Sequence, residues 1–300
     1  MSQELLDSTE FRGLPRLNGA PSTGKPRLSR RTYDIVGLVG AGLLLGLLLL
    51  ALFPGAIAPY DPTETVGRPF LPPSADHRLG TNDIGQDILS ELIWGARASL
   101  LTGLTVSLVS VAIGVVAGLV SGYFANALSA VILILVDLVL VLPFLPLVIL
   151  LSAYLGPSQR NVILILILVS WAVPARLIRS RVLTLTGIPY VEAARALGSS
   201  DYRIIRRHIW PAVRTIAVVQ VMMLAASAIL AESSLSFLGL GDPATKSWGT
   251  MLYFAQASGV FLSDGWRWWV VPVGLMITFT VLSLALLGYW LERRLEPNLR

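Results

Sequence analysis

The stretch Tyr190 to Val213, "YVEAARALGSSDYRIIRRHIWPAV", decides how the chain is read. It carries Arg195, Arg203, Arg206 and Arg207 beside Glu192, Asp201 and His208, yet it lies between two long apolar runs. Pro189, just before it, suits the first turn of a helix, where its missing N–H has no partner to lose. Tyr190 to Leu197 are good helix formers, and Gly198 fits the left-handed residue that ends such a helix. Ser199 or Ser200 can cap a second helix, with Asp201 favourable near its positive N-terminal end. Tyr202, Ile205 and Ile209 fall at i, i+3 and i+7, so they predict one face of that helix, with Arg203, Arg206 and Arg207 largely on another. Pro211 marks the approach to the next apolar run. Two short helices with a sharp turn between them suit either of two roles. One is an interfacial element lying on anionic lipid. The other is a docking element that inserts into a groove of a soluble partner. The turn favours docking, because a helix lying on lipid needs no break.

The surroundings are those of a membrane protein. Of 300 residues, 54% are hydrophobic and 14% charged, with a mean hydropathy of +0.71; a soluble domain carries about a quarter charged residues. A span needs about 20 mostly apolar residues. Six candidates meet this: about 35–53, 99–122, 128–151, 161–178, 213–233 and 269–290. The third contains Asp137, Pro143 and Pro146, and the short fourth contains Pro174. The first 32 residues are polar and rich in Pro, Gly and Arg, without the apolar core of a signal peptide, and are expected to be a disordered cytoplasmic tail.

Lys and Arg give an orientation. The tail holds Arg12, Arg16, Lys25, Arg27, Arg30 and Arg31. The loop after the fourth span holds Arg176, Arg179, Arg181, Arg195, Arg203, Arg206, Arg207 and Arg214, and the C-terminal end holds Arg293, Arg294 and Arg300. Only Arg68, Arg78, Arg97, Arg160, Lys246 and Arg267 fall on the other side. This bias predicts both termini in the cytoplasm, and the opening stretch with them.

Several chemistries are excluded or weakened. With no cysteine there is no disulfide, thiol catalysis or Cys-bound zinc. His77 and His208 are far apart, which argues against a His-rich metal site. The net charge of +5 encodes orientation rather than nucleic-acid binding. "GAPSTGKP" (19–26) has the Gly19, Gly24 and Lys25 of a P-loop, but Pro26 replaces the magnesium-binding hydroxyl and no strand precedes it. If ATP is used, another chain binds it.

Within the spans, Asp137 is the residue of most interest, since a carboxylate at membrane depth is costly and commonly functional. It is a candidate for the translocation path or for pairing between helices, with Gln220 and Glu232 behind it. Gly42 and Gly46, and Gly114, Gly118 and Gly122, form GxxxG faces. Ordinary packing inside one subunit is the expected use, with a subunit interface as the alternative.

Glu192, Ala193 and Ala194, then Gly198 and Pro211, resemble the EAA loop of permease subunits of ABC-type importers. "APYDP" (58–62), "HRLGTNDIGQDILSELIWGARASL" (77–100), "LAESSLSFLGLG" (230–241), "SWGTML" (247–252) and the terminal "LLGYWLERRLEPNLR" are similar, in order, to the oligopeptide, dipeptide and nickel importers. The likeness is to their second permease subunit, the DppC/OppC type, and covers roughly 33–300. Asn82, Gln86 and Glu91 stand where that family usually shows Asp, Arg and Arg.

The resemblance implies an all-α membrane fold, six transmembrane helices in the type I ABC importer permease bundle. It divides the chain into a tail (1–32), the first span with its outer loop (33–97), the permease domain (98–290) and a cytoplasmic end (291–300). It implies that Tyr190, Glu192, Ala193, Ala194, Leu197, Gly198, Tyr202, Ile205 and Pro211 couple the chain to an ATPase. It further implies a second permease subunit, two ATP-binding subunits that hold ATP and magnesium, and an extracytoplasmic solute-binding protein, all in a prokaryotic plasma membrane. This chain itself would bind no cofactor and catalyse nothing. Peptides are the expected cargo; nickel, glutathione or another small solute is the alternative. An ion-driven transporter would show inverted repeats, and a membrane enzyme a cluster of His, Asp or Ser at depth. A structural anchor would have no need of the EAA spacing.

Overall fold

A computed structural model describes residues 30–295. The near-P-loop at 19–26, the tail reading and the last five residues lie outside this range. Twelve α-helices make up the described chain, with one isolated bridge, Thr81 to Asp87, and no β-strand. They are α1 (Arg30–Leu52), α2 (Pro54–Ile57), α3 (Ile88–Tyr123), α4 (Ala127–Val141), α5 (Phe144–Leu155) and α6 (Gln159–Ser170). Then follow α7 (Ala172–Thr186), α8 (Pro189–Ala196), α9 (Asp201–Ile204), α10 (Trp210–Phe237), α11 (Trp248–Ala257) and α12 (Val270–Leu295). A π-turn, Ile205–Ile209, joins α9 to α10. Five helical segments are long and apolar enough to cross a membrane, and the bent pair α4–α5 makes up to six.

Four of the six expected spans differ in extent, each for a local reason. The second begins earlier, at Ile88, because Asp87 accepts from the Ser90 N–H at 2.9 Å and caps the helix there. The third is not one rod: α4 and α5 meet at 92° across Leu142 and Pro143. Pro143 has no N–H to donate and pushes Leu142 to extended backbone (φ −72°, ψ 134°). The fourth is not short. α6 and α7 run on as one segment from Gln159 to Thr186, because Pro174 falls in the first turn of α7, where a missing N–H costs little. Arg176, Arg179 and Arg181 therefore stand on a helix, not in the loop to which their charge assigned them. The fifth extends from Asp201 to Phe237. Pro211 sits inside it, and the π-turn immediately before absorbs the strain of the ring and the lost hydrogen bond.

α3 is the central post. It packs along α7, α10, α1 and α6. Gly114, Gly118 and Gly122 face α7 closely: a Cβ on Gly114 would lie 2.7 Å from Pro174 Cβ, and one on Gly118 2.8 Å from the Ala175 carbonyl oxygen. These glycines thus do pack within the subunit. Gly42 and Gly46 have nothing within 4 Å. In α1 it is Gly37 and Gly40 that let α12 approach, with the Trp290 ring close against Gly37 and the Leu286 side chain 3.0 Å from where a Gly40 Cβ would be.

Candidate functional site

The candidate site is the elbow between α8 and α9. Pro189 stands at the start of α8, as its fixed φ favours. At the far end, Gly198 is left-handed (φ +79°); its N–H donates to the Arg195 carbonyl at 3.0 Å, and the Ser199 N–H to that of Ala194 at 3.1 Å. This paired closure stops the helix and reverses the chain. Ser200 occupies the cap position of α9, but its hydroxyl does not cap. The Asp201 carboxylate instead accepts from the Tyr123 hydroxyl at 2.6 Å, tying the elbow to the end of α3. The Arg195 guanidinium lies over the same Tyr123 ring, 5.6 Å from its centre, and the Tyr190 and His208 rings tilt against each other at 5.5 Å.

The buried face is not the one that spacing predicts. Ile204 and Ile209 are buried, with Val191, Ile178, Val182, Leu185 and Val213; Ile205 is half-buried and Tyr202 exposed. The reason is the π-turn, whose i→i+5 period brings residues five apart, not four, onto one side. Glu192 and Ala193 are exposed, Ala194 half-buried and Pro211 exposed. Leu197 is 87% exposed and Tyr202 71%. An anchored underside and an apolar knob at the turn together make a rigid projection that no other part of the described chain covers.

Of the three candidates at membrane depth, Asp137 forms an ion pair across helices with Arg176 of α7, 2.5 Å from Arg176 Nη2 to Asp137 Oδ1. Gln220 is half-buried on α10. Glu232 is buried and accepts from the hydroxyls of Ser247 at 2.7 Å, Ser236 at 2.9 Å and Ser233 at 3.4 Å. These three are not brought to one place. Arg176 falls at the end of the expected fourth span (about 161–178) but is counted with the arginines of the loop that follows, so its pairing with Asp137 is not foreseen.

At the end of the bundle opposite the elbow, polar residues close on one another. Glu91 of α3 pairs with Lys246, which also donates to Gln86 Oε1 at 2.7 Å; the Asn82 amide donates to the same oxygen at 3.0 Å. Trp248 is fully buried, its indole N–H donating to the Leu92 carbonyl at 3.0 Å and its backbone N–H to Ser99 at 3.2 Å. Ser247 and Thr250 form a capping box at the head of α11. Outside the spans, the Thr63 hydroxyl and N–H both donate to Asp61 and hold its carboxyl below the usual range. The charge departures at Asn82, Gln86 and Glu91 thus fall in one joined network, with Lys246 supplying the positive charge.

Residues 114–300 match the family described as "Binding-protein-dependent transport system inner membrane component". The chain belongs to that family. This permease is 39% identical over 271 residues to the di/tripeptide transport system permease protein DppC of Pseudomonas aeruginosa (strain UCBPP-PA14), covering 86% of this chain and 88% of the relative. It is 33% identical over 290 residues to the dipeptide transport system permease protein DppC of Bacillus subtilis (strain 168), covering 94% and 90%. It is 34% identical over 266 residues to the glutathione transport system permease protein GsiD of Pectobacterium atrosepticum, covering 87% of each. In fold it is similar to a chain of the MetNI methionine ABC transporter solved in inward-facing conformations. The TM-score is 0.54 at 17% identity, covering 70% of this chain and 98% of that one. The permease is a non-catalytic, multi-pass inner-membrane subunit. Family membership implies a solute-binding protein and an ATPase as partners, with ATP on the latter.

Proposed function

We propose that this permease forms half of the translocation path of an importer of short peptides, and that the α8–α9 elbow is where an ATPase subunit drives it. The observation that carries the coupling role is Leu197, 87% exposed at a turn whose underside is locked to α7 and α10. An exposed apolar knob on a rigid stem matches a groove on a partner. Its burial would dominate affinity, since exposed pairs made by Glu192 or Arg203 contribute only about 0–1 kcal/mol each. Tyr190, Ala193, Ala194 and Tyr202 complete the contact, with Gly198, Ile205 and Pro211 setting its shape.

Peptide cargo is supported by the two DppC relatives, whose names give dipeptide and di/tripeptide transport. Glutathione is the second reading, supported by GsiD. The assembly comprises this chain, a second permease subunit, two ATP-binding subunits and a binding protein, with both termini in the cytoplasm as the arginine distribution favours. In reconstituted complex, Glu192→Lys or Gly198→Pro is expected to cut solute-stimulated ATP hydrolysis while this chain stays in the membrane. Unchanged stimulation would reject the coupling role. Uptake of labelled dialanine against glutathione, each with the cognate binding protein, separates the two cargoes.

A further inference from the structure

The ion pair between Asp137 and Arg176 stands where a charge has no ordinary reason to be. Asp137 is about ten residues from the start of α4 and Arg176 about ten from the end of α7. At about 1.5 Å per residue, each is ~15 Å from the elbow end of its helix. That sets the pair inward of both helix ends, within the apolar run of α4 and at the inner end of the apolar run of α6–α7. The two helices reach this figure independently, running in opposite directions. Yet the side chains are 58% and 60% exposed. A charged pair at that depth does not face lipid; it faces a water-filled path or protein.

A second feature lies one turn further along α4. There the chain breaks by 92° at Leu142 and Pro143, and Leu142, Phe144 and Leu145 are exposed. Irregular backbone at membrane depth is stable only inside protein or against a water-filled cavity, and transporters build solute sites at such discontinuities. Beside the pair is a cavity of about 210 Å³, also lined by Ser121, Leu133, Ala175 and Arg179. Arg179 Nε already donates to the Ser121 carbonyl at 3.4 Å, which leaves Arg176 as the arginine paired with Asp137 here.

We propose that Asp137 and Arg176 are a binding station for the charged termini of a short peptide on its way through the path. Asp137 receives the peptide ammonium and Arg176 the peptide carboxylate, as a planar guanidinium does well. The pair opens to admit the solute and closes behind it. Each charge keeps a partner in both states, so the exchange avoids the large penalty of an unpaired ion at depth. No bond is made or broken. This assignment rests on the peptide reading above.

The test uses the complete complex with its binding protein in proteoliposomes and three probes: dialanine, N-acetyl-dialanine and dialanine amide. Wild type is expected to take up dialanine and to discriminate against both blocked forms. Arg176→Gln is expected to lower discrimination against the amide by ~10-fold or more while leaving discrimination against the acetylated form; Asp137→Asn is expected to do the reverse. Both variants are expected to assemble with their partner subunits. Equal effects of each variant on all three probes, or unchanged discrimination in both, would show a structural pair and overturn the station. Wild type that imports none of the three overturns the peptide reading itself, a result distinct from import that the variants do not change.

Discussion

The two ends of the bundle invert each other's chemistry. At the elbow, apolar side chains are on the outside: Leu197 and Tyr202 are exposed along with Arg203, Arg206 and Arg207. At the opposite end, polar side chains are on the inside: Glu91, Glu232, Ser99, Ser247 and Thr250 are buried, each with a partner. An exposed apolar knob on an anchored stem is what the proposed coupling contact would use. A satisfied polar cluster marks a part already complete, one that is rigid and expensive to disturb. On the proposed function, one end is built to be held and the other to hold itself.

The largest expected effect is at the closed end. Lys246→Met strands Glu91 in a buried site and is expected to cost about 3 kcal/mol of stability in detergent unfolding. Adding Glu91→Gln should recover much of that loss. A cost below about 1 kcal/mol for the single change would mean that the network is wetter than its burial indicates.

The centre of the bundle comes next. Gly118→Val drives a side chain into Ala175 and Ile178 and is expected to cost about 1–3 kcal/mol. Gly42→Val, in the open, should stay within about 0.5 kcal/mol. Equal costs in the assembled complex but not in the isolated subunit would place a partner against α1.

The elbow should give the smallest effects on stability. Gly198→Ala is expected to cost about 1 kcal/mol through its left-handed backbone alone, since nothing lies within 4 Å. Leu197→Ala should leave unfolding within about 0.5 kcal/mol of wild type yet lower solute-stimulated ATP hydrolysis. Leu197→Ala that unfolds the subunit would erase the contrast between the two ends.

Much of the molecule is legible before any fold is known. Apolar run lengths locate each apolar segment though not its ends, and Pro189 and Gly198 flank α8. Apart from the early start of α3, which the Asp87 cap sets, the misplaced features share one cause, proline. Pro143 and Pro174 interrupt apolar runs and Pro211 precedes one, and by itself proline does not say whether a helix breaks, continues or inserts an extra residue. The answer here was a 92° bend at Pro143, a continuation at Pro174 and a π-turn before Pro211. Those outcomes moved Arg176 onto a helix beside Asp137 and rotated Ile204 inward in place of Tyr202.

The sequence by itself determined the membrane class, the approximate place of the apolar segments, the elbow and its turn, because apolar run length and local backbone preference are written in neighbouring residues. Only the tertiary structure decided which charges meet. Asp137 with Arg176, Glu91 with Lys246 and Glu232 with Ser247 are separated by 39, 155 and 15 positions. Partners at those separations are set by how helices bend and pack, a property no local pattern encodes.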